Sequence, residues 1–181
     1  MIMKNVLVIT TSNRNHSNST ALAAEFVRGA KEAGNKVTEI SLKGKHIRFC
    51  LGCCICWKTH RCVIRDDDMA RIVEAVKNAD VLVFATPIYY YEMSGQLKTT
   101  LDRLNPLYTD EYNFRDVYCL TTAESADPTT PEHAVNGIKG WVRCFPNARF
   151  VDSVFAGGIL NAGAIVGHPA LKTAYEMGRS I

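Results

Sequence analysis

The chain has 181 residues, 47% of them hydrophobic and 22% charged, with a formal net charge of +3. That length suits one domain burying about 70% of its unfolded surface, and the composition is ordinary for a soluble globular protein. A net charge of +3 is too small to argue for nucleic acid or an anionic membrane, so neither is an expected partner.

Val6 to Ile9, the longest apolar run near the N-terminus, is too short for a signal-peptide core or a membrane span. It reads as a strand buried on both faces. A polar, glycine-free loop from Thr10 to Thr20 follows. Leu22, Phe26, Val27 and Ala30 then recur at helical spacing, and Gly34-Asn35 supplies a stop. Val37 to Leu42 reads as a second strand. The cysteine-rich stretch at about 43–65 has no periodicity. Asp66, Asp67 and Asp68 open a helix carrying Met69, Ile72, Val73 and Val76. The three carboxylates read best as cap and first-turn residues facing the helix dipole, not as catalytic groups.

Val81 to Ala85 is the third strand, ended by Pro87, and a helix from about Ser94 carries Leu97, Leu101 and Leu104. Val117 to Leu120 makes a fourth strand, Pro131 to Cys144 a further helix, and Phe150 to Phe155 a fifth strand. A Gly-rich link leads to Pro169 in the first turn of a last helix. Cys119 and Cys144 fall inside these elements and read as core residues. The alternation predicts an α/β fold, with a doubly wound five-stranded parallel sheet and helices on both faces. One domain over residues 1–181 is expected, with the cysteine stretch inserted between the second strand and the next long helix.

In such a sheet the ligand crevice lies beyond the C-terminal strand ends, where strand order reverses. Two loops reach that place. The first offers hydroxyls (Ser12, Ser17, Ser19, Thr20), amides (Asn13, Asn18) and one cation, Arg14, before a helix N-terminus. It lacks G-x-G-x-x-G, G-K-[ST] and the Cys and Arg pair of a phosphatase loop. This inventory suits one phosphate monoester held mostly by neutral donors, and equally an ordinary N-cap cluster. The second loop, Pro87, Ile88, Tyr89, Tyr90 and Tyr91 through Gly95, sets three tyrosines at a strand end, where they can stack on a flat ring. Together the two loops form the halves of a mononucleotide site at the first/third strand switch point.

Five of the seven cysteines fall between Cys50 and Cys62. Cys50, Cys53, Cys56 and Cys62 are spaced C-x2-C-x2-C-x5-C, with Cys54 left over. Thiolates at this spacing fit a [4Fe–4S] cluster; zinc and metal-free thiols are the competing readings. Lys58, His60 and Arg61 would offset their charge. With an odd cysteine count and no export signal, a disulfide framework fits poorly, and reduced thiols in the cytoplasm are expected. No histidine has a partner in sequence that suggests catalysis, His16 and His60 included.

The Ser12-x-Arg14-x-x-Ser17-Asn18-Ser19 loop, the cysteine run followed by Asp67-Asp68-Met69, and Pro87-Ile88-Tyr89 through Gly95 to Lys98 resemble the NADPH-dependent FMN reductase group of the flavodoxin-like fold. Asp102-Arg103 and the stretch from Gly167-His168-Pro169 to Gly178 match as well. Within that group the chain is most similar to the iron–sulfur flavoproteins. Thr11-Ser12-Asn13 departs from the group's usual Gly-Ser-Pro, and Cys54 is an extra thiol.

The resemblance implies strand order 2-1-3-4-5 and bound FMN. Ser12, Asn13, Arg14, Ser17, Asn18, Ser19 and Thr20 would surround its phosphate. Pro87 to Tyr91, with Thr121 and Thr122, would hold its ring. It further implies electrons from NAD(P)H or a reduced carrier passed to a small acceptor such as a quinone or flavin, with a [4Fe–4S] relay on the four cysteines. The alternative is a non-enzymatic carrier between protein partners such as ferredoxin. A homodimer or homotetramer is the expected assembly.

Overall fold

In β1 (Asn5–Thr10), Val6, Leu7, Val8 and Ile9 are each no more than 2% exposed. The computed structural model, which describes residues 2–181, shows why. Leu7 and Ile9 enter one apolar layer with Leu82, Phe84, Ile72 and Leu97. Val6 and Val8 enter the other, with Val83, Leu22, Phe26 and Ala174. Side chains of a strand alternate between faces, so a continuous apolar run is what a sheet covered on both sides requires.

The remaining elements are α1 (Asn18–Glu32), β2 (Lys36–Ser41), α2 (Cys56–Thr59), α3 (Met69–Asn78), β3 (Val81–Tyr89), β4 (Glu92–Met93), α4 (Gly95–Arg103), β5 (Asp116–Thr122), α5 (Glu132–Val142), β6 (Arg149–Ala156) and α6 (Ala170–Arg179). The five long strands are parallel, in the order β2-β1-β3-β5-β6. Counted among themselves, this is the expected 2-1-3-4-5. The sheet has a sixth member that sequence reading did not provide: β4 pairs antiparallel with the end of β3 through Ile88–Met93 and Tyr89–Glu92. Two residues are too few to leave a period.

On the α1/α6 face the helices touch backbone to backbone. A Cβ on Gly29 would lie 2.1 Å from the Tyr175 carbonyl oxygen, and one on Gly178 would lie 2.1 Å from that of Phe26. Arg28 stacks over the Tyr175 ring at 3.8 Å, closing the edge of the contact.

One sequence expectation changes and another is extended. Cys119 is fully buried, as expected, but Cys144 is exposed. The reason is that α5 ends at Val142, which leaves Cys144 in the following turn and outside the core-facing stripe. The acidic triplet does cap, Asp67 Oδ1 accepting from the Met69 N–H at the start of α3 at 3.1 Å, but it does further work as well. Asp68 holds the N-cap position of α3 without a capping bond and accepts from the His46 N–H at 2.8 Å. Asp67 accepts from the Arg48 N–H at 3.1 Å and pairs with Arg103 at 2.6 Å. These carboxylates fasten the start of the cysteine segment to the sheet domain. Among the described residues, no helix is long and apolar enough to cross a membrane.

Candidate functional site

Loops from the C-terminal ends of β1, β3, β5 and β6 surround an open pocket of about 180 Å³. The β1 loop contributes Ser12, Arg14, Ser17 and Asn18, and the β3 end contributes Pro87, Ile88 and Tyr89. Thr122 and Glu124 come from the β5 end, and Leu160 from the segment after β6.

The first loop is tightly cross-braced. Ser17 caps α1, its Oγ accepting from the Thr20 N–H at 3.4 Å and lying 3.0 Å from Ser19 Oγ. Ser12 Oγ accepts from the Arg14 N–H at 3.3 Å, and Arg14 Nη1 donates to the Leu160 carbonyl at 2.9 Å. Asn18 Nδ2 donates to the Asn161 carbonyl at 2.9 Å, and its Oδ1 accepts from the Ile165 N–H at 3.3 Å. Asn18 therefore pins the segment after β6 over the helix N-terminus. Asn13 and Thr20 are exposed and Ser19 is buried; none of the three lines the pocket.

The second loop is held from below. Thr86 Oγ1 accepts from the Ser94 N–H at 3.0 Å, and the Ser94 hydroxyl bonds the Thr11 hydroxyl at 2.8 Å in a buried link between the two loops. Tyr89 ends β3. Tyr90 and Tyr91 form the two-residue connection to β4 with φ of 50° and 67°, the left-handed pair of a type I′ hairpin that Asn-Gly usually fills. Tyr90 is 99% exposed, and neither it nor Tyr91 lines the pocket. Thr121 is also outside, fully buried and donating to the Val154 carbonyl at 3.2 Å. Sequence reasoning missed Glu124 and Leu160. Both lie in aperiodic segments, and the one available signal, Gly157-Gly158 after β6, marks a loop without naming its chemistry.

Residues 4–158 match the family described as NADPH-dependent FMN reductase. The chain belongs to that family. An iron–sulfur flavoprotein of Methanocaldococcus jannaschii is 35% identical over 102 residues, which cover 56% of this chain and 52% of that protein. An iron–sulfur flavoprotein of Archaeoglobus fulgidus is 31% identical over 98 residues, covering 54% of this chain and 44% of its own. The chain thus spans about half the length of these curated relatives. Among solved structures, an NAD(P)H:quinone oxidoreductase from Methanothermobacter marburgensis superposes with a TM-score of 0.79 at 15% identity, over 99% of this chain and 96% of that one. At that identity the likeness speaks to the fold. The family's flavodoxin-like α/β architecture accounts for where the pocket lies.

A second, small concavity of about 20 Å³ lies against the C-terminal end of α4, where Arg103 and Asn105 meet the cysteine segment. Cys50, Cys53, Cys54, Cys56 and Cys62 all line it, so the fold brings all four candidate ligands to one place. Among the described residues, no three Cys, His, Asp or Glu side chains converge tightly enough to hold a single metal ion. An iron–sulfur cluster, in which each thiolate binds a different iron, takes a wider ring of sulfurs, and an all-thiolate donor set suits it. Two N–H groups already point at sulfur here, Gly52 N–H to Cys50 at 3.4 Å and Asn105 Nδ2 to Cys56 at 3.5 Å. Burial pushes the Cys56 thiol pKa up, and the neighbouring Cys62, Cys50 and Cys53 push it further, as expected of thiols that crowd one another.

Proposed function

We propose that the chain binds FMN in this pocket and acts as an NAD(P)H-dependent oxidoreductase on a small acceptor such as a quinone or free flavin. The observation that carries this reading is one pocket joining Ser12, Arg14 and Ser17 at the N-terminus of α1 to Pro87, Ile88 and Tyr89 at the end of β3. Free N–H groups and the dipole at a helix start favour an anion, and Arg14 adds the cation a phosphate needs. Ile88 and Tyr89 supply apolar and aromatic surface for a flat ring.

Bound FMN supplies hydride and one-electron chemistry that no side chain here provides. The residues bind and orient it. Ser17 and Arg14 would fix the phosphate, the Thr11–Ser94 link would keep the two loops at a constant separation, and Thr122 and Glu124 would face the polar edge of the ring. Cys50, Cys53, Cys56 and Cys62 would hold a [4Fe–4S] cluster as a relay to or from the flavin.

Anaerobic mixing of FMN-loaded protein with NADPH or NADH tests the assignment. Rapid bleaching of the flavin, with turnover on a quinone, is expected. Protein that cannot be loaded with FMN refutes it. The cysteine pocket, open at the surface through the exposed Cys50, Cys53 and Cys54, favours one alternative, a carrier between protein partners. Reduction by reduced ferredoxin but by neither nicotinamide would establish that role instead. Phe49, Leu51 and Tyr90, 79%, 66% and 99% exposed, support assembly into a homodimer or homotetramer, which light scattering would measure.

A further inference from the structure

Arg103, at the C-terminal end of α4, is 1% exposed and heads the largest fully buried side chains. Four of its hydrogen bonds are accounted for. Nη1 donates to Asp67 Oδ2 at 2.6 Å and to the Arg48 carbonyl at 2.7 Å. Nη2 donates to Asp67 Oδ1 at 3.3 Å and to the Ile64 carbonyl at 3.5 Å. The fifth donor, Nε–H, is buried without a partner. A guanidinium donor left unpaired in a dry site is costly, and native structures rarely leave one so without a function. The same side chain lines the cysteine pocket and, with Cys62, the groove on the other side of that loop. Cys50 and Cys56 each already receive an N–H donor, and the Arg103 guanidinium lies within hydrogen-bonding reach of the Cys62 thiol.

We propose that Arg103 is a positioning residue of the cysteine pocket, whose Nε–H donates to the Cys62 sulfur once an iron–sulfur cluster is bound. This deepens the proposed function and rests on its cluster reading. Hydrogen bonds to cluster sulfurs draw off negative charge and favour the reduced state, so this donor raises the cluster's reduction potential. Asp67 holds the guanidinium in place and cancels its formal charge, leaving the directed N–H as the part that acts.

The test uses FMN-loaded protein reconstituted anaerobically with ferrous iron and sulfide, then titrated to its cluster midpoint potential by EPR. Asp67→Leu/Arg103→Met removes the pair together, without leaving a lone buried charge. With FMN and iron content retained, its reduced-to-oxidised ratio at the wild-type midpoint should fall about threefold, which is about 28 mV at 59 mV per decade for one electron. Arg103→Lys, which keeps the charge but not the planar fork, should shift the midpoint in the same direction by less. An unmoved midpoint in the double variant overturns the role of Arg103. Should that variant fail to retain FMN, an unmoved midpoint in Arg103→Lys does the same. Wild-type protein that binds FMN but no iron and sulfide refutes the cluster reading, and this inference with it.

Discussion

Arg103 and Asp67 form an ion pair at 2.6 Å with side chains 1% and 0% exposed, joining the end of α4 to the residue two positions before α3. Removing one member of such a pair strands the other charge in a dry site. Arg103→Met alone is therefore expected to cost about 3–5 kcal/mol, whereas Asp67→Leu/Arg103→Met should recover most of it. Urea unfolding of the two single variants and the double variant measures the coupling.

The pair also has a pH signature. Burial pushes the Asp67 carboxyl up, but the Arg103 guanidinium and the Arg48 and Met69 N–H groups outweigh that and hold its pKa below the ordinary value. A folded pKa below the unfolded one, about 3.9, gives stability that is complete above that value and is lost as pH falls through the folded pKa. The deficit of Asp67→Asn relative to wild type should thus be constant from pH 7 to 5 and shrink below about pH 4. Urea midpoints at pH 7, 5 and 3.5 decide it; a constant deficit throughout would show that Asp67 keeps its ordinary pKa.

The α1/α6 contact tolerates no side chain at Gly29 or Gly178, where a Cβ would lie 2.1 Å from a backbone oxygen. Gly178→Ala should lose about 1–3 kcal/mol through overpacking, despite alanine's better helix propensity. Gly140 in α5 is exposed with open space around it, and Gly140→Ala should gain about 0.4–1 kcal/mol. Thermal melts of the two variants should move in opposite directions.

Tyr90 and Tyr91 sit at positive φ, a conformation that costs bulky residues about 1–3 kcal/mol each. Tyr90→Asn/Tyr91→Gly supplies the residues that the turn prefers and should raise stability by about 1–2 kcal/mol. A melting temperature that falls would mean these tyrosines make stabilising contacts that offset the strain.

Ser17 both caps α1 and lines the pocket. Ser17→Ala should lose about 0.5–2 kcal/mol of stability as a cap and weaken FMN about tenfold, roughly one hydrogen bond to a charged group. Riboflavin, which has no phosphate, should bind the variant as it binds wild type. Flavin fluorescence titration separates the two effects.

The Cys119 thiol is pushed up to about 12 by burial, so it holds almost no thiolate at pH 8. Cys144 is exposed. Iodoacetamide labelling of the folded protein, read by mass spectrometry, should modify Cys144 readily and Cys119 only after unfolding.

The alternation of the long strands with helices along the chain, the start of α4 near Ser94 and the polar character of the first loop were legible in the sequence, because burial on two faces and helical capping leave local patterns. The order of the strands in the sheet came only from the family resemblance. So was the identity of the four clustered cysteines. Less legible were the turn-out of Cys144 past the end of α5, the two-residue β4, and the division of the first loop into residues that line the pocket and residues that brace it. Asn18 shows the difficulty. Its amide suits a phosphate, yet both its polar atoms bond a segment more than 140 residues away.

By itself, then, the sequence determined the parallel α/β sheet, the two loops that meet at its switch point and a set of thiols close together along the chain, since each depends on local spacing or composition. Only the tertiary structure decided what those groups face. It carried Glu124 and Leu160 to the pocket at the strand ends, gathered five cysteines around one concavity, and set Arg103 against them from the far end of α4. Such juxtapositions come from packing between distant segments, which no local period records.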